Sequence, residues 1–223
     1  MEHPEPEIFK EIRALLHDNP ALLAVRLDEM RKYLALVRPI VEELHELGYR
    51  IETLHDLRHQ GKPWKTALPV LLRWLPKIDD PNLKEDIVRC LSVPWIGNHA
   101  TSQLIQEFTK AATNRLPLAW TVGNALSIVD IGGFEKDVMA LCRKQEFGSA
   151  RQMLVLGLGR LRDPEAETTA IELLGDDTVR LHAIIALGGM KSKRALTELE
   201  PLLSDREAAI RRESRKAIAK INR

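Results

Sequence analysis

One ten-residue pattern recurs five times along the chain, and that recurrence restricts the fold more than any other feature of the sequence. The segment Val179-Arg180-Leu181-His182-Ala183-Ile184-Ile185-Ala186-Leu187-Gly188 has counterparts opening at Leu83, Leu118, Ala150 and Ile210. Their second positions, Lys84, Ala119, Arg151, Arg180 and Arg211, are separated by 35, 32, 29 and 31 residues. A period of that size is one supersecondary unit repeated in series. Each segment has helical apolar spacing, and each follows another such segment, at 65–76, 100–112, 134–144, 164–174 and 193–203. Asp80-Pro81, Leu116-Pro117, Gly132-Gly133, Asp163-Pro164 and Gly175-Asp176-Asp177 punctuate them. A single helix pair cannot bury its apolar face alone, whereas stacked pairs share one continuous core.

Composition agrees with helices. Leucine occurs 34 times against ten aromatic residues, and neither an Asn-Gly or Asp-Gly hairpin nor alternating runs of Val, Ile, Thr and aromatics occur. The sequence therefore predicts an all-α fold, a right-handed α-α superhelix of about five helix pairs over 63–223, preceded by a helical N-terminal cap over 1–62. The middle second helices are apolar nearly all round, as an inner layer requires. The last carries Arg211, Arg212, Glu213, Arg215, Lys216 and Lys220, which suits the polar outer face of a terminal repeat. Within the cap, Leu23, Leu27, Met30, Leu34, Val37, Val41 and Leu44 alternate by four and three residues. That seam suits packing on the first repeat or, in a second reading, dimerisation. Pro39 lies inside it and is expected to kink or split the helix.

These residues resemble the HEAT-like repeats, including the bacterial version called PBS-lyase HEAT-like, and so an armadillo-type superhelix. The resemblance rests on Asp163-Pro164-Glu165-Ala166, on Leu173-Leu174-Gly175-Asp176-Asp177-Thr178-Val179-Arg180, on Ala186-Leu187-Gly188, and on Leu202-Leu203-Ser204-Asp205 with Ile210-Arg211. It is good over 133–222, weaker over 63–132 and absent before residue 61. It implies a ladder of inter-helix Asp and following Arg, matching Asp176 with Arg180 and Asp205 with Arg211, from which Ala119 departs. Such a fold hosts many functions, so function has to be argued from residues.

Several classes fall away. With 33 basic and 32 acidic residues the net charge is +1, which removes bulk charge as an argument for a general nucleic-acid or membrane binder. The start of the chain has acids where a signal peptide needs bases, and no stretch approaches the roughly 20 apolar residues that cross a bilayer; a cytoplasmic protein is expected. Cys90 and Cys142 read as buried free thiols. There is no phosphate loop, nucleophile elbow or metal cluster, so no catalytic residue, metal or cofactor is expected. His45-Glu46 is a single pair, and His55 with His59 lacks a third ligand, which makes a solvated face the reading for that pair. Asp56 and Asp86 have no partner identifiable from sequence.

Binding signals are richer. Second-helix positions outside the core form two rows, Asp86, Thr121, Met153, His182, Glu213 and Arg89, Asn124, Leu156, Ile185, Lys216. Both mix charged, amide and apolar groups, which suits a protein or peptide better than a polyanion. Trp95 lies in an inter-repeat loop, and Trp is a favoured interface anchor. The sequence thus predicts a non-enzymatic scaffold that holds another protein or peptide along a concave face, with Asp86, Arg89, Trp95, Asn124, Met153 and His182 as contacts. The alternative is a DNA-binding or glycosylase-like repeat protein. It draws on the net +4 of residues 176–223 (11 basic, 7 acidic), and on Trp120 and Asp130 as a loose stacking and acid pair on one predicted helix.

Overall fold

The computed structural model describes residues 7–61 and 63–223. The acidic start of the chain, residues 1–6, lies outside the described residues, as does Lys62, where the cap was expected to end. No strand occurs among the described residues, and no helix there is long and apolar enough to cross a membrane. The chain forms two compact units, Met1–Cys90 and Leu91–Arg223. Their boundary falls between Cys90 and Leu91.

The first unit contains α1 (Glu7–Leu15), α2 (Pro20–Glu46), α3 (Leu54–Arg58), α4 (Leu68–Trp74) and most of α5 (Pro81–Leu91). Asn19 caps α2 by accepting from the Leu22 N–H at 3.1 Å, with Pro20 at the first helical position. The helix runs through Pro39 without splitting. Pro39 is exposed, away from buried Val37, Ile40, Val41 and Leu44, so the carbonyl deprived of its donor faces water. The seam is buried only from Val37 onward; Leu23, Leu27, Met30 and Leu34 are half-buried. Thr53 and Asp56 form a capping box at the start of α3, with the Thr53 N–H donating to Asp56 Oδ2 at 2.8 Å. Asp56 is thereby committed to its own turn.

In the second unit α6 (Thr101–Thr113) and α7 (Leu118–Ile128), α8 (Glu135–Arg143) and α9 (Gln152–Leu158), α10 (Pro164–Glu172) and α11 (Arg180–Met190), and α12 (Leu196–Leu199) and α13 (Ala208–Ile221) form successive pairs. The second helices contact one another in series, α7 with α9, α9 with α11 and α11 with α13. This is an α-solenoid. The interval between second helices is set by missing side chains: a Cβ on Gly188 would lie 2.9 Å from Ala217 Cα, and one on Gly157 3.0 Å from Ser127 Cα. α13 keeps Arg212, Arg215, Lys216 and Lys220 exposed, the polar outer face of a last repeat. Cys90 and Cys142 are buried free thiols, each pushed up to about 12 by burial.

The ladder is present with different partners from those read off the sequence. Each Asp side chain meets the Arg of the preceding repeat: Arg151 Nη2 donates to Asp176 Oδ2 at 2.7 Å, and Arg180 Nη1 lies 3.8 Å from Asp205 Oδ2. Within its own repeat the Arg bonds backbone instead. Arg151 reaches Cys142 O at 2.9 Å, Arg180 reaches Leu174 O at 2.8 Å, and Arg211 reaches Asp205 O at 2.7 Å. Arg180 also pairs with its near neighbour Asp177. The Asp176 and Asp205 carboxylates thus pair one repeat earlier than expected, because stacking brings consecutive inter-helix turns side by side, while Arg211 keeps Asp205 through its carbonyl oxygen.

Candidate functional site

The six residues expected to contact a partner divide between the units: Asp86 and Arg89 in the first, Trp95, Asn124, Met153 and His182 in the second.

Asp86 and Arg89 project from α5 into a cavity of about 740 Å³ that Met30, Tyr33, His55, Arg58, His59 and Glu85 also line. Both are engaged by their own chain. Asp86 accepts from the Tyr33 hydroxyl at 2.8 Å and faces Arg58 at 3.7 Å, while Arg89 donates to Glu85, at 3.0 Å from Nε. Burial, and then the Asp86 carboxylate, push the Tyr33 phenol well above its ordinary range. That keeps it a neutral hydrogen-bond donor. The two histidines stack with centroids 4.1 Å apart, and their Nδ1 atoms are taken up by Arg58 and by His55 O. No group of three His, Cys, Asp or Glu side chains is placed to hold a metal among the described residues.

Asn124, Met153 and His182 lie on α7, α9 and α11, helices that pack consecutively, and all three are half-buried. Leu156 and Ile185, of the neighbouring row, are half-buried as well. Thr121 instead enters the core, and Glu213 is bonded by Arg212 and Lys216 at 2.9 Å each, so the outer members of the first row are committed. The Asn124 amide makes no side-chain hydrogen bond among the described residues. His182 Nδ1 is enclosed without a partner among the described residues, and desolvation lowers the pKa of its ring below the ordinary value. The arrangement offers a shallow, partly apolar face with unspent polar groups, suited to taking up peptide groups and aliphatic side chains.

Trp95 is half-buried in the turn Pro94–Ile96. Trp120, 47% exposed, is the tryptophan that reaches solvent most, and it lies one helical turn from Asn124 on the same face of α7. From sequence Trp120 is a candidate only for stacking on a flipped base; its spacing of four residues from Asn124 is the signal that joins the two. Asp130 does not share that helix: α7 ends at Ile128, and Asp130 Oδ1 accepts from the Gly132 N–H at 2.9 Å in the following turn.

Residues 136–220, from α8 through most of α13, match the family model of the HEAT repeats. No curated protein matches the chain.

Proposed function

We propose, from the premise that residues 136–220 are HEAT-like repeats, that this chain is a binding scaffold that holds another protein or a peptide along the exposed second-helix face of its second unit. HEAT repeats commonly serve as protein-interaction scaffolds, and a stack of helix pairs presents an extended surface. The observation that carries the reading is the row Asn124, Met153, Leu156, His182 and Ile185, half-buried on three consecutive helices. It contains an amide and a ring nitrogen that make no hydrogen bond among the described residues. The chain gains nothing in its own stability from an open amide among partly exposed apolar groups, whereas an incoming main chain would satisfy it.

Asp86 and Arg89 stand outside this contact set, because Tyr33, Arg58 and Glu85 already hold them. Trp95 stays at its edge as a half-buried turn residue.

Pull-down followed by binding measurements on the purified partner tests the reading. Leu156→Glu with Ile185→Glu should weaken the partner about tenfold or more while leaving the circular dichroism spectrum unchanged. A partner indifferent to both changes refutes it. So does sub-micromolar binding of duplex DNA that falls steeply with salt, by about 0.9 log units per phosphate contacted for each decade of salt.

A further inference from the structure

The Arg–Asp ladder has one exchanged rung. Arg151 meets Asp176 and Arg180 meets Asp205. Each of these acids ends a first helix, its N–H donating to Leu173 O or Leu202 O at 3.2 Å, and the residue in that position before Arg151 is Lys144, whose N–H donates to Leu141 O at 3.2 Å. The template position before Arg151 is Ala119. Where the ladder would place Arg and Asp, the chain has Ala and Lys, so no acid is left there without its arginine. Ala119 and Phe147 do face the same space: together with Leu116, Pro117, Trp120 and Ala150 they line a hollow of about 410 Å³.

An arginine stem would cross this space, and an alanine leaves it open. Its floor is fixed, since Phe147 is buried and packs edge-on to Phe108 with centroids 5.9 Å apart. Its lip is apolar and open to solvent, with Trp120 at 47% and Leu116 at 46% exposure. Exposed aromatic and aliphatic groups clustered at a concavity mark an interaction site rather than ordinary surface.

The charges around the lip are unbalanced. Arg115 lines the hollow, is exposed, and has no side-chain partner among the described residues. Its backbone holds a positive φ of 54°, fixed by the Arg115 N–H to Ala112 O at 3.0 Å and the Leu116 N–H to Ala111 O at 2.9 Å. The Lys144 ammonium lies 5.3 Å from the Phe147 ring centroid. Glu146 is the carboxylate of the lining. Two cations to one anion favour an acidic neighbour beside whatever enters.

We propose that this hollow is an anchoring pocket for one large apolar side chain of a peptide segment, with an Asp or Glu beside it in that segment meeting Arg115. The proposal rests on the protein-binding reading and adds to it the place of the anchor and the chemistry of the bound segment.

Panning a library of random ten-residue peptides on the full chain tests it, with the dissociation constant of a synthetic winner read by fluorescence anisotropy. The winners should carry a large apolar residue next to Asp or Glu. Trp120→Ala should weaken the synthetic peptide about tenfold or more. Arg115→Glu should do so several-fold and shift a repeat selection toward basic neighbours. Ala119→Arg with Lys144→Asp, which rebuilds the rung and sends an arginine stem across the hollow, should abolish binding. Trp120 and Arg115 are exposed, so those two variants keep the test valid even if the rebuilt rung misfolds. Winners that ignore Trp120→Ala and Arg115→Glu but fail on Leu156→Glu overturn the pocket and leave the scaffold reading standing. Selection of no peptide overturns the pocket, as does self-association of the chain abolished by Trp120→Ala.

Discussion

Arg151 is the most deeply buried charged side chain among the described residues, and replacing it with Met tests whether the ladder holds the repeats together. Its side chain is 1% exposed and donates three ways, to Asp176 Oδ2 at 2.7 Å, Cys142 O at 2.9 Å and Gly148 O at 3.1 Å. Met preserves most of the buried stem, so the change removes charge and hydrogen bonds rather than opening a large cavity. Breaking a buried pair by removing one partner costs about 3–5 kcal/mol, because the remaining charge is stranded. The Thr178 N–H still donates to Asp176 at 3.0 Å, which places the expectation near the lower end. At about 2–4 °C per kcal/mol for a chain of this size, Tm should fall on the order of 10 °C. Burial pushes the Asp176 carboxyl up, but the Arg151 guanidinium and the Thr178 N–H outweigh it and hold the group below its ordinary value. A carboxyl lowered in the folded state contributes stability above its unfolded value and loses it as pH falls through the folded one. The gap between wild type and Arg151→Met should therefore narrow below about pH 4. Asp176→Asn should cost less in the Arg151→Met background than alone. Calorimetry and urea titration between pH 7 and 3 measure all three. A Tm loss under about 2 °C at pH 7, or a gap unchanged by acid, would refute the rung.

The remaining expectations concern the same solenoid. Arg180→Ala, which removes the bonds to Leu174 O, Asp177 and Asp205, should cost about 1.5–3 kcal/mol by urea denaturation. Arg212→Ala, at an exposed pair with its neighbour Glu213, should stay within about 0.5 kcal/mol; equal costs would count against the ladder. Gly188→Ala would press a Cβ to 2.9 Å from Ala217 Cα and should destabilise by about 1–3 kcal/mol, whereas Gly175→Ala, with nothing within 4 Å, should be neutral or slightly stabilising in the same melts. His182, its ring lowered by desolvation, contributes stability that is full above its unfolded value near 6.5 and is lost as pH falls below it. His182→Gln should flatten the drop in urea midpoint between pH 7.5 and 5, and an unaltered drop would show that the ring is not its source.

What was legible in the sequence was whatever repeats. The template located α5, α7, α9, α11 and α13 because each must present the same apolar stripe to the same kind of neighbour. Partners were harder to read. Asp176 is four residues from Arg180 but bonds Arg151, 25 residues away, since sequence shows nearness along the chain and stacking decides nearness between turns. Asp86 finds Tyr33 across 53 residues, in a segment that shares no period with the repeats. Exposure was the other gap. Trp64 and Trp120 look alike in a leucine-rich helical chain, yet the first is buried and the second opens to solvent. The difference depends on what lies on the neighbouring helix.

That dependence gives the exchanged rung its meaning. Ala119 alone reads as a lapse in the pattern, because an Asp in the following turn without its arginine would be a stranded carboxylate, and such positions are strongly unfavourable. Lys144 changes the account: it stands where Asp176 and Asp205 stand in their own turns, so no carboxylate is stranded, and its side chain is exposed to water. The repeats on either side keep their own bonds, Arg151 to Asp176 among them. The position is thereby released from holding turns together at no electrostatic cost. The space an arginine stem would fill becomes a hollow beside the most exposed tryptophan of the chain. A solenoid whose rungs are otherwise satisfied internally has little left to offer a partner at those turns. The rung that carries no ion pair is the place where the stack can bind without loosening itself.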